Sequence, residues 1–216
     1  MSFSENLLVK IENAEIGYKK NILIQNLSLQ IHRGDKILLL GSNGVGKTTL
    51  IKTILGIQRP LQGSISFFYS SCSYVPQALE IPKEFLLTIE ETLELYYDTK
   101  LFPNKRKHER QKEINEVLKK TNLFEKKHLL LRECSGGELQ RTFISRALLR
   151  KPELIVFDEP LAAVDVDNQK QFFSLLDTIH KEYQVSILMT SHIMNEDFLK
   201  FFSRKLLIKN KVLMEV

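Results

Sequence analysis

Long apolar runs are missing from this chain of 216 residues, although 43% of it is hydrophobic. Its longest uninterrupted runs are short, such as Leu154-Ile155-Val156-Phe157. A membrane-spanning helix needs roughly 18 apolar residues in a row, so none is expected. Cysteine is scarce: Cys72 and Cys134 are the only two, too few for a disulfide framework and without metal-ligand spacing. A reduced, cytosolic setting is the simple expectation. Met1 to Asn6 lacks a basic patch followed by an apolar stretch, so no secretory signal is expected. Neither charge sign dominates, with 31 Lys+Arg against 26 Asp+Glu and a net charge of +5. That mild excess suits nucleic acid or an anionic membrane surface without demanding either. The densest basic block, Lys105 to Lys112, carries no interleaved aromatic residue. It reads as a solvated helix face rather than a platform for stacked bases, and no nucleic-acid partner is expected. Repeats and low-complexity segments are absent.

Glycine, by contrast, is concentrated. Gly41-Ser42-Asn43-Gly44-Val45-Gly46-Lys47-Thr48-Thr49 follows the apolar run Ile37 to Leu40 and precedes a segment with helical spacing. A buried strand, a glycine loop and a helix form the context of a phosphate-binding P-loop. Gly41 and Gly46 let the backbone turn its N–H groups toward phosphate oxygens. Lys47 supplies a point charge for the outer phosphates, and the Thr48 hydroxyl is placed to ligate Mg²⁺. The following helix adds its dipole and unpaired amides.

The rest of the chain reads as α/β. Leu7–Ile11 and Ile22–Ile31 are expected strands, separated by a turn at Gly17–Asn21 that exposes Tyr18. Arg33-Gly34-Asp35 is a turn, and a helix from Thr48 is capped by Gly56. Ile65–Phe68 and Ser73–Val75 are expected short strands. From Ala78 to about Arg132 glycine disappears, and Glu90–Tyr97 and Arg106–Thr121 carry amphipathic helical spacing. This is a candidate helical insertion. Strand–helix alternation resumes after Pro152, with Ser186–Thr190 a buried strand and Leu206–Ile208 with Val212–Met214 a terminal hairpin.

Two further segments carry chemistry. Leu154 to Phe157 followed by Asp158-Glu159-Pro160 describes a central parallel strand with two acids at its C-terminal edge, where open α/β sheets hold ligands. Asp158 can organise Mg²⁺, and Glu159 can orient and deprotonate a water for attack on a γ-phosphate. Cys134-Ser135-Gly136-Gly137-Glu138 opens a segment with Leu139, Phe143, Ala147 and Leu148 on one face. Ser135 and Glu138 have capping-box spacing, which by itself implies only a well-capped helix. Alternatively, Gly136 and Gly137 leave the amides bare for a phosphate.

Taken in order, these motifs resemble the ATPase subunit of ABC transporters over essentially all 216 residues. The P-loop resembles that family's Walker A motif, Leu154–Glu159 its Walker B, and Ser135-Gly136-Gly137-Glu138 its signature motif. Gln77 stands at the Q-loop glutamine, Ala162-Ala163-Val164-Asp165 at the D-loop, and His192, after Thr190-Ser191, at the switch histidine. Tyr18 occupies the place of the aromatic that stacks on adenine. The chain departs from the family at Cys134 (usually Leu), Glu138 (usually Gln) and Val164 (commonly Leu).

The resemblance implies a P-loop (RecA-like) nucleotide-binding core with an antiparallel β subdomain and an α-helical subdomain inserted at about 78–146 in a single 1–216 domain. It implies ATP and Mg²⁺ as cofactors, with Thr48, Gln77 and Asp158 around the metal. Nucleotide would be held by Tyr18, Gly41 to Thr49, Ser135, Gly136, Gly137 and Asp165. Glu159, His192 and Gln77 would act in hydrolysis. Two copies would pair head to tail and bind a multi-span membrane permease, with a substrate-binding protein acting indirectly, at the cytoplasmic face of the inner membrane. The Ser-Gly-Gly-Glu variant, the run from Glu159 to Gln169, and Val75-Pro76-Gln77 with Phe85–Ile89 look most like bacterial zinc and manganese importers. The alternatives are export, transport of lipid or another solute, or a lone cassette without a transport role, such as a cell-division regulator.

Overall fold

The computed structural model describes residues 6–19, 21–77, 81–82, 84–97, 106–161, 166–191 and 196–216, apart from the side chains of 166–168 and 196–197. In chain order the elements are β1 (Leu7–Tyr18), β2 (Asn21–His32), β3 (Lys36–Leu40), α1 (Lys47–Ile54), β4 (Gln62–Phe67), β5 (Cys72–Val75), α2 (Ile89–Glu94), α3 (Lys107–Lys120), α4 (Gly136–Leu148), β6 (Leu154–Phe157), α5 (Val166–Tyr183), β7 (Ser186–Thr190), α6 (Glu196–Lys200), β8 (Arg204–Lys209) and β9 (Val212–Glu215). Short 3₁₀ turns at Phe124–Lys126 and Leu131–Glu133 lead into α4.

Two sheets result. β2-β1-β4 is antiparallel, and the larger sheet runs β5-β6-β7-β3-β8-β9, parallel except for its last pair. Its central strands β3, β6 and β7 are apolar on both faces because both faces are covered, as parallel strands require. Leu38 and Leu40 of β3, with Ile155 and Phe157 of β6, join one core with α2, α3, α4 and α5. The alternate residues, Ile37 and Leu39 with Leu154 and Val156, join a second core with β1, β2 and α1. Side chains two apart on a strand share a face, so each central strand ties the antiparallel sheet to the helices. Every residue of β6 and β7 is buried.

Most element positions agree with the sequence pattern, but β1 does not stop at Ile11. It continues to Tyr18 through register shifts at Ile11/Ala14 and Ala14/Ile16. Asn13, at φ 47°, takes up the irregularity. Asparagine tolerates that conformation, and a bulge breaks the period-two pattern that marks a strand. Among the described residues no helix is long and apolar enough to cross a membrane.

Candidate active site

The glycine loop joins the C-terminal edge of β3 to α1. Gly46, at φ 114°, begins the helix, and a Cβ there would lie 3.1 Å from Leu23 Cβ, so glycine meets both the left-handed backbone and the close approach. No acidic residue occupies the first turn of α1, so negative charge at its positive end comes from outside the helix.

Three consecutive residues of that turn reach two distant parts of the chain, the Asp158-Glu159 pair and Tyr18. Lys47, only 6% exposed, donates from Nζ to the Gly41 and Ser42 carbonyls at 2.8 and 3.2 Å and pairs with Glu159 Oε1 at 3.2 Å. The Thr48 hydroxyl donates to Asp158 Oδ2 at 3.2 Å. The Thr49 hydroxyl donates to the Tyr18 hydroxyl oxygen at 3.3 Å. These side chains surround a cleft of about 430 Å³ lined by Tyr18, Leu23, Asn43, Gly44, Gly46, Lys47, Thr48, Thr49, Gln77 and Glu159. Its volume lies in the range of small-molecule sites.

Asp158 is held from several sides. Its N–H donates to the Val75 carbonyl at 3.0 Å, Oδ1 accepts from the Thr190 hydroxyl at 2.8 Å, and Oδ2 accepts from Thr48 and from the Tyr74 hydroxyl at 3.3 Å. Burial, and then the Asp158 charge, pushes the Tyr74 phenol up to about 12, so it remains a proton donor to that carboxylate. Glu159 adopts φ 47° and donates its N–H to Thr190 Oγ1 at 2.8 Å. One buried hydroxyl therefore binds the backbone of one acid and the side chain of its neighbour.

Thr190 and Tyr74 were not singled out from sequence. The one local signal is a threonine closing the apolar run Ile187-Leu188-Met189. Asp158 with Thr48 presents a carboxylate and a hydroxyl, hard oxygen donors that suit Mg²⁺. Among the described residues no group of three or more His, Cys, Asp or Glu side chains forms a metal cage. Such a cation would have to complete its shell with phosphate oxygens and water.

The signature segment lies elsewhere. Ser135 caps α4, its hydroxyl accepts the Glu138 N–H at 3.3 Å, and Glu138 Oε2 accepts the Ser135 N–H at 2.7 Å. Ser135 and Gly136 are exposed, while Gly137 borders a separate cavity of about 120 Å³ with Asn122 and Arg141. None of the three lines the P-loop cleft. Gln140 Nε2 donates to the Pro160 carbonyl at 2.5 Å, joining α4 to the turn after Glu159. Asp165 and His192 lie outside the described residues. A larger cleft of about 510 Å³ among Leu87, Glu91, Glu94, Leu95, Tyr97, Lys107 and Arg110 opens on the helical segment.

The chain is similar to known proteins in sequence and fold. The sequence model described as ABC transporter matches residues 24–162. The zinc import ATP-binding protein ZnuC of Buchnera aphidicola subsp. Baizongia pistaciae is 34% identical over 190 residues, 87% of this chain and 75% of that protein. The zinc uptake system ATP-binding protein ZurA of Listeria innocua serovar 6a is 32% identical over 198 residues, covering 87% and 77%. A dimeric post-hydrolysis structure of the ATP-binding cassette MJ0796, bound to ADP and Pi, superposes with a TM-score of 0.81 at 25% identity, covering 97% of this chain and 98% of that one.

Proposed function

The chain belongs to the ABC transporter family, and from that premise we propose that it powers uptake of a divalent metal ion, zinc or manganese. ATP binding and hydrolysis are the family activity. The observation that carries the catalytic assignment is the convergence of Lys47, Thr48, Asp158 and Glu159 at one sheet edge. The metal cargo is supported by relatives named for zinc import and zinc uptake.

On this reading adenine stacks on Tyr18, which is half exposed at the cleft mouth, and the phosphates lie in the loop from Gly41 to Thr49. Lys47 offers its charge to the β- and γ-phosphates from a position already within reach of Glu159. Mg²⁺, held by Thr48 and Asp158 with Gln77 nearby, would supply charge neutralisation at those phosphates. Glu159 takes a proton from the attacking water, and the Thr190 hydroxyl fixes its backbone. Asp165 and His192 keep the roles that the resemblance gives them.

Phosphoryl transfer needs donors on every side of the γ-phosphate, and Ser135, Gly136 and Gly137 do not line this cleft. A second copy, head to tail, supplies them. The region at about 78–146 acts as the helical subdomain, and its 510 Å³ cleft receives a short helix of a multi-span permease. The chain would then sit peripherally on the cytoplasmic face of the inner membrane, with a substrate-binding protein acting through the permease.

Glu159→Gln is expected to yield an ATP-stabilised dimer whose turnover falls about 100-fold or more. Near-normal hydrolysis by this variant refutes Glu159 as the base. For the cargo, a deletion strain should fail to grow under metal chelation and recover with added zinc or manganese. Indifference to both metals would remove the importer assignment.

A further inference from the structure

Glu138 places a carboxylate at the third position of α4, where the family usually has the neutral glutamine. It is buried, and its two oxygens face different partners. Oε2 accepts the Ser135 N–H at 2.7 Å, and Oε1 accepts Lys126 Nζ at 2.5 Å. Lys126 ends the 3₁₀ turn Phe124–Lys126, ten residues before the helix begins. Its neighbour Lys127 is engaged separately with Glu90 at 2.8 Å, so Lys126 is the described cation on this carboxylate. Lys126 first, then the Ser135 backbone, holds the Glu138 carboxyl down to about 2, so it stays ionised in any physiological solution.

An ionised carboxylate in the first turn competes with an incoming phosphate for the same positive helix end, and it repels that phosphate. A glutamine can close the same capping box, but it carries no charge and does not repel the phosphate. A carboxylate bound to an ammonium is again neutral as a pair, while it keeps the second half of the capping box that a lone lysine could not form. The exposed Ser135 hydroxyl and the first amides of α4 then face solvent with the Glu138 charge offset.

We propose that Lys126 is a positioning residue for nucleotide-dependent dimerisation, neutralising Glu138 so that the Ser135–Gly137 helix end can accept the γ-phosphate held by a second copy of this chain. The proposal rests on the head-to-tail reading above and adds a residue to it from outside the family motifs.

The test uses the full chain in the Glu159→Gln background, with MgATP titrated and dimer followed by sedimentation velocity. Lys126→Met should raise the ATP concentration for half-maximal dimerisation about tenfold at low salt, and the deficit should shrink near 1 M salt, where the Debye length is about 3 Å. ATP affinity of the monomer, set in the distant P-loop cleft, serves as the control and should not follow. Lys126→Arg should keep the parental requirement. Lys126→Met combined with Glu138→Gln should return to it, because removing the carboxylate removes the need for the cation. A structural tether alone predicts the opposite: a salt-independent loss that the double variant does not repair. An unchanged ATP requirement for Lys126→Met, or a double variant as defective as the single, overturns the proposal. If the parent itself fails to dimerise with ATP, the head-to-tail reading falls, and this proposal falls with it.

Discussion

Replacing Thr190 by valine removes one hydroxyl and keeps the shape of the side chain. In the native site that hydroxyl accepts the Glu159 N–H at 2.8 Å and donates to Asp158 Oδ1 at 2.8 Å, in a position with no solvent access. The substitution therefore removes the Thr190 partner of a part-buried backbone donor and of one oxygen of a buried carboxylate. Such losses cost about 1–3 kcal/mol each, more when the group is charged, so relaxation should leave a total of about 3–5 kcal/mol. For a domain of this size each kcal/mol is worth about 2–4 °C, which places the expected melting shift near about 10 °C. The catalytic effect is separate. Glu159 holds φ 47°, a conformation with a cost of its own, and its N–H bond to Thr190 helps fix that geometry. A displacement of about 1 Å at a reacting group can lower turnover about 100-fold. Phosphate release by the full chain, measured beside thermal unfolding, separates the two effects. Thr190→Ser is the control: it retains the hydroxyl and loses one methyl, at a cost of about 1 kcal/mol. If valine and serine variants turn over ATP within twofold of each other, the bridging role of Thr190 is refuted.

Two other outcomes follow from single features. Gly63→Ala should destabilise the antiparallel sheet by about 2 kcal/mol or more, because Gly63 has φ 79° and a Cβ would lie 2.4 Å from the Asn13 carbonyl oxygen. Urea unfolding that matches the native chain would contradict this. Burial first, then Glu138 and Glu133, raises the Cys134 thiol from its ordinary 9.0 to about 11. Thiolate at pH 8 is thus about 100-fold scarcer, and its higher nucleophilicity recovers roughly tenfold. Iodoacetamide should label Cys134 about tenfold more slowly than an ordinary thiol at pH 8, and catch up only as pH rises toward 11. Mass spectrometry of timed quenches checks this, and rapid labelling at pH 8 would contradict it.

What was legible in the sequence was what lies close along the chain. The P-loop occupies nine consecutive residues, and the Asp158-Glu159 pair directly follows its strand, so each could be read alone. The Ser135–Glu138 capping box was visible for the same reason. The links between these pieces were not. Thr190 matters because β7 lies beside β6, and strand order is a tertiary fact with no local signal. Lys126 is twelve residues from Glu138 and belongs to no motif. The length of β1 was missed because bulges break the alternation that identifies strands. Tyr18 and Gln77 carry no chemistry as isolated letters; only the fold brings them to the cleft that holds Lys47.

The strand order has a further consequence. The phosphate loop leaves β3 and the acids leave β6, and the two are not neighbours: β7 runs between them. Adjacent strands stand about 4.8 Å apart, so one intervening strand sets the two catalytic edges about 10 Å from each other. That interval is a gauge built from backbone hydrogen bonds, and loop substitutions cannot tune it. Lys47 and Glu159 reach across it from opposite banks. Substitutions in the helical segment leave this gauge unaltered, whereas a lost or inserted strand would remove the site altogether.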